Sequence, residues 1–411
     1  MGTTPWEVEG RWFTSPWNHL EEARAGLALP ERVYFHDITL RDGEQQTGIC
    51  LTREDKVAIA RRLAQAGVDR IEAGMPIVSP QDEAAIKDIV QLDLGPQIFA
   101  FSRCMVDDVK RAKACNVSGV VMEIPSSGHM LERAYGWPLD RAIDLSIEAT
   151  LAAKSEGLET VFFTIDSSRA ELDWYLDLVA RIGEEGHMDA LALVDTVGGV
   201  APHAIPVWVA KVRERLPDVR LEAHFHDDFG LAVANTLAAI TVGVDVVHTT
   251  VSGVGERAGN CPMEEVALAL QMLYGVEHNL NTEEFYPLSR LVRERSGHSI
   301  PSNRAAVGER LFEVESGIIA GWFERCIEDH PTEVFPYHWD VVGQPPARVV
   351  YGKGSGLPSV ELALKSLGLK AEGEQMRAIL AAIKERALET KALLPFEEVA
   401  RIVSEHLKGT G

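Results

Sequence analysis

Short apolar runs alternate with longer amphipathic stretches from about residue 32 to about residue 285. The intervening stretches have helical periodicity, as in residues 53–66, which Thr52 opens and Gly67 closes. Strands that alternate with helices at this spacing predict parallel pairing and an α/β fold. The eight predicted strands are residues 33–40, 70–73, 98–101, 119–124, 160–165, 190–194, 220–226 and 244–251.

Eight repeats with charged residues at the strand ends favour a closed (β/α)8 TIM barrel over an open doubly wound sheet. The first strand also lacks the Gly-x-Gly-x-x-Gly turn typical of dinucleotide-binding open sheets. Functional groups of such barrels lie at the C-terminal ends of the strands. The charged or histidine residues expected there are Asp42, Glu72, Arg103, Glu123, Asp166, Asp195, His224 and His226.

Beyond residue 288 the pattern changes to helices without strand periodicity, including amphipathic stretches at residues 361–367 and 373–388. We therefore expect three regions. They are an N-terminal extension (1–31), a TIM-barrel catalytic domain (32–287) and a helical C-terminal lid and dimerisation region (288–411).

Composition is that of an ordinary globular enzyme, with 46% hydrophobic and 25% charged residues among 411. A formal charge of −22 argues against nucleic acid and anionic membrane as partners. No apolar run approaches the roughly 20 residues of a membrane span, and residues 1–30 lack a signal-peptide pattern, so we expect a cytoplasmic protein. Five unpaired-looking cysteines predict reduced thiols.

The strongest candidate chemistry lies in His224-Phe225-His226 and in Arg41-Asp42. Histidines at i and i+2 of a strand point to the same face, so both imidazoles can meet one ion together with the Asp42 carboxylate. This ligand set suits magnesium, manganese, cobalt or zinc, with positions left open for a chelating 2-oxo acid. Arg41 would place a permanent charge against the oxygen that becomes an alkoxide.

Four ordered segments carry a resemblance to a known family. They read Asp-Ile-Thr-Leu-Arg-Asp-Gly-Glu-Gln (37–45), Ile-Glu-Ala-Gly-Met-Pro (71–76), His-Phe-His-Asp-Asp-Phe-Gly (224–230) and Gly-Val-Gly-Glu-Arg-Ala-Gly-Asn (253–260). Together they resemble the DRE-TIM metallolyases, and within them the alkylmalate synthases: the isopropylmalate, homocitrate and citramalate synthases.

The resemblance implies roles for particular residues. Metal ligation falls to Asp42, His224 and His226, with Asn260 as a further contact. Arg41 is expected at the substrate carbonyl, and Glu72 is expected to support the site or transfer a proton. The residues expected to bind substrate are Arg103, Thr196, Gln45 and Asp166. For Arg103 a loop salt bridge is an equal alternative, and Asp195 beside Thr196 is a candidate helix cap.

The resemblance also implies a homodimer, because the helical region of the alkylmalate synthases covers the site of the partner subunit. The chain is too short to include the large leucine-binding domain of many isopropylmalate synthases. We therefore expect that feedback device to be absent.

The resemblance weakens in the C-terminal region. The family typically reads Phe-x-His-x-Ser-Gly-Ile-His, where residues 312–319 are Phe-Glu-Val-Glu-Ser-Gly-Ile-Ile. The second of those histidines takes part in deprotonating the acetyl-CoA methyl group, and Ile319 cannot move a proton. The family's Gly-Lys-His-Ser-Gly is likewise Gly-Lys-Gly-Ser-Gly at 352–356. The candidates to replace the base are His129, His298 and His338.

Three hypotheses follow. We favour a metal-dependent Claisen-type acyltransferase that adds acyl-CoA, as cosubstrate, to a 2-oxo acid. The alternative is a lyase or aldolase that cleaves a tertiary 2-hydroxy acid or its thioester, which tolerates loss of the synthase histidine better. A non-catalytic, metal-retaining paralogue is the third. A biotin-dependent carboxyltransferase is disfavoured, because no predicted strand end offers a lysine.

Overall fold

A computed structural model describes residues 4–408, which form two compact units. The larger unit is Asn18–Ile300. The smaller unit combines the chain up to Trp17 with the chain from Pro301 onward. The division therefore follows residue 300, because helix Phe285–Ser296 packs against helix Arg53–Ala66 within the larger unit.

The larger unit contains a closed barrel of eight parallel strands, as the sequence predicted. The strands are β1 (Tyr34–Asp37), β2 (Arg70–Glu72), β3 (Gln97–Arg103), β4 (Gly119–Pro125), β5 (Glu159–Ile165), β6 (Ala190–Asp195), β7 (Arg220–Phe225) and β8 (Val246–Thr249). Each strand pairs with its sequence neighbours, and β8 closes the barrel against β1 with Thr249 beside Asp37.

Helices surround these strands in the order the periodicity predicted. They are α1 (Arg53–Ala66), α2 (Pro80–Gln91), α3 (Val106–Ala114), α4 (Leu139–Ser155), α5 (Leu172–Glu185), α6 (Ile205–Arg215), α7 (Ala232–Ile240), α8 (Met263–Ala269) and α9 (Phe285–Ser296). Short helical turns in this unit include Gly43–Gln45, Gly128–Met130, Leu131–Tyr135, Ser167–Arg169 and Val251–Gly253.

Helix α1 shows how local sequence sets an element's ends. Thr52 accepts a hydrogen bond from the Asp55 amide, and the Asp55 carboxylate bonds back to Thr52, which forms a capping box. Gly67 ends the helix at φ +86°, where a Cβ atom would lie 2.4 Å from the Asn279 carbonyl oxygen. Only glycine fits that close approach without displacement.

The barrel interior is filled by side chains and is not a pore. Apolar residues from β3 to β6, among them Phe99, Phe101 and Phe163, pack into one buried cluster. Buried polar side chains also lie in the barrel strands, among them His36, Arg70, Glu222 and His248.

The smaller unit contains α10 (Gly317–Cys326), α11 (Leu357–Leu367), α12 (Glu374–Thr390) and α13 (Phe396–Lys408). The expectation of no strands after residue 288 was wrong in one respect: Glu313–Val314 and Arg348–Val349 pair in parallel. Strands of two residues are too short to produce a period-two pattern. Ile319 lies in α10 and is partly buried within this unit, whereas the neighbouring Ile318 is exposed. A two-stranded hairpin, Glu7–Val8 with Trp12–Phe13, also belongs to this unit.

Between residues 4 and 408, no helix has both the length and the apolar character needed to cross a membrane.

Candidate active site

Strand ends deliver the candidate metal ligands to one place. Asp42 lies just after β1, His224 lies in β7, and His226 directly follows it. The Nε2 atoms of His224 and His226 are 3.3 Å apart, and Asp42 Oδ2 lies 3.7 Å from the first and 4.0 Å from the second. All three side chains are buried, and their ligand atoms converge closely enough to share one ion.

The two histidines are neutral, and the surroundings of His226 define its tautomer. His226 Nδ1 faces the Gly259 carbonyl oxygen at 3.2 Å, and because a carbonyl can only accept, Nδ1 carries the hydrogen and Nε2 keeps its lone pair. Burial, together with the neighbouring His226, holds the pKa of His224 well below its usual range. Burial also lowers the pKa of His226. Both imidazoles are therefore neutral near pH 7, which is the form in which histidine can bind a metal.

Asn260 completes this group. Its Nδ2 donates to Asp42 Oδ1 at 2.6 Å, while its buried Oδ1 has no hydrogen-bond partner among residues 4–408. The loop that places it is tightly constrained: Gly259 has φ +99°, and a Cβ there would lie 2.0 Å from the Gly253 carbonyl oxygen. A carboxylate, two neutral imidazoles and an amide oxygen without a partner fit a divalent cation.

Arg41 lies beside this group and is held from several sides. Its Nε donates to Glu72 Oε1, and its Nη1 donates to Asp42 Oδ2 at 2.9 Å and to Gln45 Oε1 at 3.3 Å. The guanidinium stacks over the Phe101 ring, 3.8 Å from its centroid. The Nη2 atom is buried and has no hydrogen-bond partner in the described chain. Arg41 Nη2 is therefore a fixed, positively charged donor that can bind an oxygen atom of a ligand.

Glu72 is fully buried, and burial would raise its pKa. The Arg41 guanidinium and the imidazole of His36 outweigh that effect and lower the pKa of Glu72 to about 2. Glu72 is therefore ionised at neutral pH. This geometry gives it a role in orienting Arg41.

The expected substrate-binding residues have different surroundings. Gln45 contacts Arg41, as described above. Arg103 forms a two-pronged salt bridge with Asp108, at 2.7 and 2.9 Å, and half of its side chain is exposed. The Thr196 hydroxyl accepts a hydrogen bond from the Asp166 amide at 2.8 Å. Asp195 accepts from the amides of Gly199 and Val200, which is a capping role.

Asp166 follows β5 with a left-handed backbone, φ +64°, which is uncommon outside glycine. Its buried carboxylate accepts from Ser127 Oγ at 2.5 Å and from Arg169 Nε at 2.5 Å. His129 Nε2 also lies 3.2 Å from Asp166 Oδ2. The Asp166 carboxylate thus contacts three side chains at the barrel mouth, those of Ser127, His129 and Arg169.

A second buried cluster in the barrel was not predicted from the sequence. His248 Nε2 lies 2.8 Å from Glu222 Oε2, and Arg70 donates to Glu222 Oε1 at 2.7 Å. His36 Nε2 lies 3.5 Å from Glu72 Oε2, which extends this cluster to the Arg41 pair. Polar residues inside otherwise apolar strands were the signal that could have indicated it.

The sequence of this chain is similar to those of known proteins. The HMGL-like family model matches residues 32–292. A homocitrate synthase from Methanopyrus kandleri is 38% identical over 366 residues, which is 89% of this chain and 90% of that protein. A 2-isopropylmalate synthase from Methanocaldococcus jannaschii is 36% identical over 85% of this chain and 66% of its own length.

Among solved structures, the HMG-CoA lyase of Bacillus subtilis is similar, with a TM-score of 0.60 over 66% of this chain and 96% of that chain. Its sequence is 20% identical to this chain, so the similarity supports the fold alone.

Proposed function

The chain belongs to the HMGL-like family, and from that premise we propose that it is a divalent-metal-dependent synthase. The proposed reaction is a Claisen-type condensation of an acyl-CoA with a 2-oxo acid, yielding a 2-hydroxy-2-alkyl dicarboxylic acid. Relatives named as synthases of this kind match most of the chain at 34–38% identity.

The observation that carries the proposal is the pair of buried polar atoms that have no partner in the described chain, Arg41 Nη2 and Asn260 Oδ1. A buried donor without a partner costs free energy of about 1–3 kcal/mol, so its retention points to a ligand that satisfies it. Asn260 adjoins Asp42, and Asp42 adjoins both Arg41 and the histidines. This donor and this acceptor therefore lie around one small volume.

In the proposed reaction, Asp42, His224, His226 and Asn260 would hold the ion. A divalent cation held there supplies Lewis acidity to a chelating 2-oxo acid. Arg41 donates to the keto oxygen and stabilises the negative charge that the oxygen gains as the new carbon–carbon bond forms. Glu72 and Phe101 keep the guanidinium in place, so little reorganisation is needed during the reaction.

A cavity of about 800 Å³ adjoins Arg41 and Gln45, with Met75, Val78 and Leu51 among its lining residues. Its volume is sufficient for a 2-oxo acid. Its mixed lining suits a substrate whose keto oxygen faces Arg41 and whose side chain is apolar.

A lyase or aldolase remains the second candidate, because Ile319 stands where the resembled synthases have a histidine. Cleavage of a tertiary 2-hydroxy acid begins with deprotonation of its hydroxyl group, which Arg41 and the adjacent ion site favour equally well. The homodimer expected from the resemblance also stays a prediction, as does the identity of the metal among magnesium, manganese, cobalt and zinc.

One experiment distinguishes the two candidates. Enzyme loaded with each of the four metals is incubated with acetyl-CoA and a panel of 2-oxo acids, and free thiol is measured. In parallel, the same enzyme is incubated with alkylmalates, and 2-oxo acid release is measured. We expect thiol release that requires both substrates. The lyase alternative would be established if the second assay shows release of 2-oxo acid from alkylmalates while the first assay shows no free thiol.

A further inference from the structure

The proposed condensation needs a base that removes a proton from the α-carbon of the acyl thioester. Most acidic or basic groups near the ion site are already engaged. Glu72 is paired with Arg41, Asp195 caps a turn, and Asp42 adjoins the two histidines. The base must therefore be another group at the barrel mouth, and Glu123 and His129, in and just after β4, are the two candidates.

His129 lies on that mouth. It belongs to the turn Gly128–Met130, which follows the C-terminal end of β4, and its side chain is 39% exposed. A hydrogen bond stabilises the chain just before this turn, because the Trp174 indole donates to the Ser126 carbonyl oxygen at 2.9 Å. An accessible imidazole on a fixed support is suited to proton transfer.

Asp166 orients this imidazole. Its carboxylate is fully buried and faces His129 Nε2 at 3.2 Å. Ser127 and Arg169 donate to the same carboxylate, which keeps it from rotating. The left-handed backbone of Asp166 is a strained conformation for a residue with a side chain, and such strain is concentrated at functional positions.

We propose that His129 and Asp166 form the catalytic base dyad that deprotonates the acyl donor. This inference rests on the proposed condensation and deepens it by naming its base. In this dyad Asp166 Oδ2, which lies 3.2 Å from His129 Nε2, would accept the Nε2 hydrogen and so leave the lone pair on Nδ1. The arrangement is that of a histidine base whose tautomer is set by a buried carboxylate.

The proton and electron balance is complete. His129 Nδ1 takes a proton from the α-carbon, and the C–H electron pair becomes the thioester enolate. The enolate carbon bonds to the keto carbon, whose oxygen receives the π electrons beside Arg41 and then takes up a proton. Water hydrolyses the thioester, which releases the CoA thiol and leaves a carboxylate on the product. The imidazolium returns its proton to solvent.

The test is exchange of the acetyl-CoA methyl hydrogens in deuterated water, followed by NMR with magnesium and each 2-oxo acid of the panel present. We expect exchange by the wild type and a loss of about 10² or more in His129→Gln, which is the usual contribution of a general base. Asp166→Asn should also lower exchange. Asparagine tolerates the left-handed backbone, so this variant should keep the fold while losing the charge.

A matched control exists in the same barrel. His187 Nε2 lies 3.2 Å from Asp189 Oδ2, as in the proposed dyad, but this pair precedes β6 at the opposite end of the barrel. We expect His187→Gln to leave exchange unchanged. Metal content should be unchanged in both glutamine variants, because neither histidine belongs to the ion site.

The outcomes separate the base from the overall function. Exchange by His129→Gln within threefold of the wild type, with condensation intact, overturns the dyad alone. Glu123 is the alternative base, because burial raises its pKa to about 7 and it interacts with Arg41. Loss of exchange in Glu123→Gln, with exchange retained in His129→Gln, would identify Glu123 as the base and overturn the dyad. A wild type that neither exchanges nor condenses overturns both the dyad and the proposed function.

Discussion

Replacement of Arg41 by lysine tests the proposed role of its unpaired donor. Lysine keeps the positive charge but loses the planar fork that contacts Glu72 and Asp42 while leaving Nη2 for substrate. One ammonium group cannot hold both carboxylates and also reach the keto oxygen with the same geometry. The stabilisation of the developing charge should therefore be lost.

The expected magnitude follows from the number of donors removed. Loss of one fixed donor to a developing oxyanion typically lowers kcat by about 10² to 10³, which corresponds to roughly 3–4 kcal/mol. We expect kcat to fall by that factor in Arg41→Lys. Metal content should be retained, because the four proposed ligands are unchanged.

Arg70→Lys is the matched control. The Arg70 side chain is as buried as that of Arg41, pairs with a buried glutamate and lies over the Phe99 ring. Both variants should lower Tm by similar amounts, because each loses a planar guanidinium group and its contact with an aromatic ring. Only Arg41→Lys should lower kcat by 10² or more. A loss below about threefold in Arg41→Lys, or an equal loss in Arg70→Lys, would refute the reasoning.

The remaining predictions concern the metal, pH and the loop. His224→Ala should remove bound divalent metal and activity together, as measured by elemental analysis; full metal content would contradict the ligand assignment. Burial raises the pKa of Asp37 to about 7, so the folded state keeps a proton that the unfolded chain releases near pH 4. The free energy of unfolding of the metal-free protein should therefore decrease between about pH 4 and 7. Asp37→Asn should flatten that decrease in urea titrations, and an unchanged slope would exclude Asp37 as its source. Gly259→Ala should weaken metal binding, because its Cβ would meet the Gly253 carbonyl oxygen; unaltered metal affinity would show that the loop can adjust.

Much of the fold could be predicted from local patterns. All eight strands were placed correctly to within a few residues, and α1 begins and ends where Thr52 and Gly67 predicted. These features depend on residues close together in the chain, namely apolar periodicity, a capping side chain and a glycine that accepts a left-handed backbone. The neighbouring positions of Asp42, His224 and His226 could also be expected, since parallel barrel strands bring their C-terminal ends to one face.

Side-chain pairing was decided by the tertiary structure. The sequence left Arg103 open between a substrate contact and a loop salt bridge, and the structure pairs it with Asp108. The pairing of His129 with Asp166 joins the ends of β4 and β5. Period-two alternation specifies the face on which a strand residue lies, but it does not specify the neighbour that residue meets. That neighbour is set by strand register and barrel closure, which depend on contacts between residues far apart in the chain.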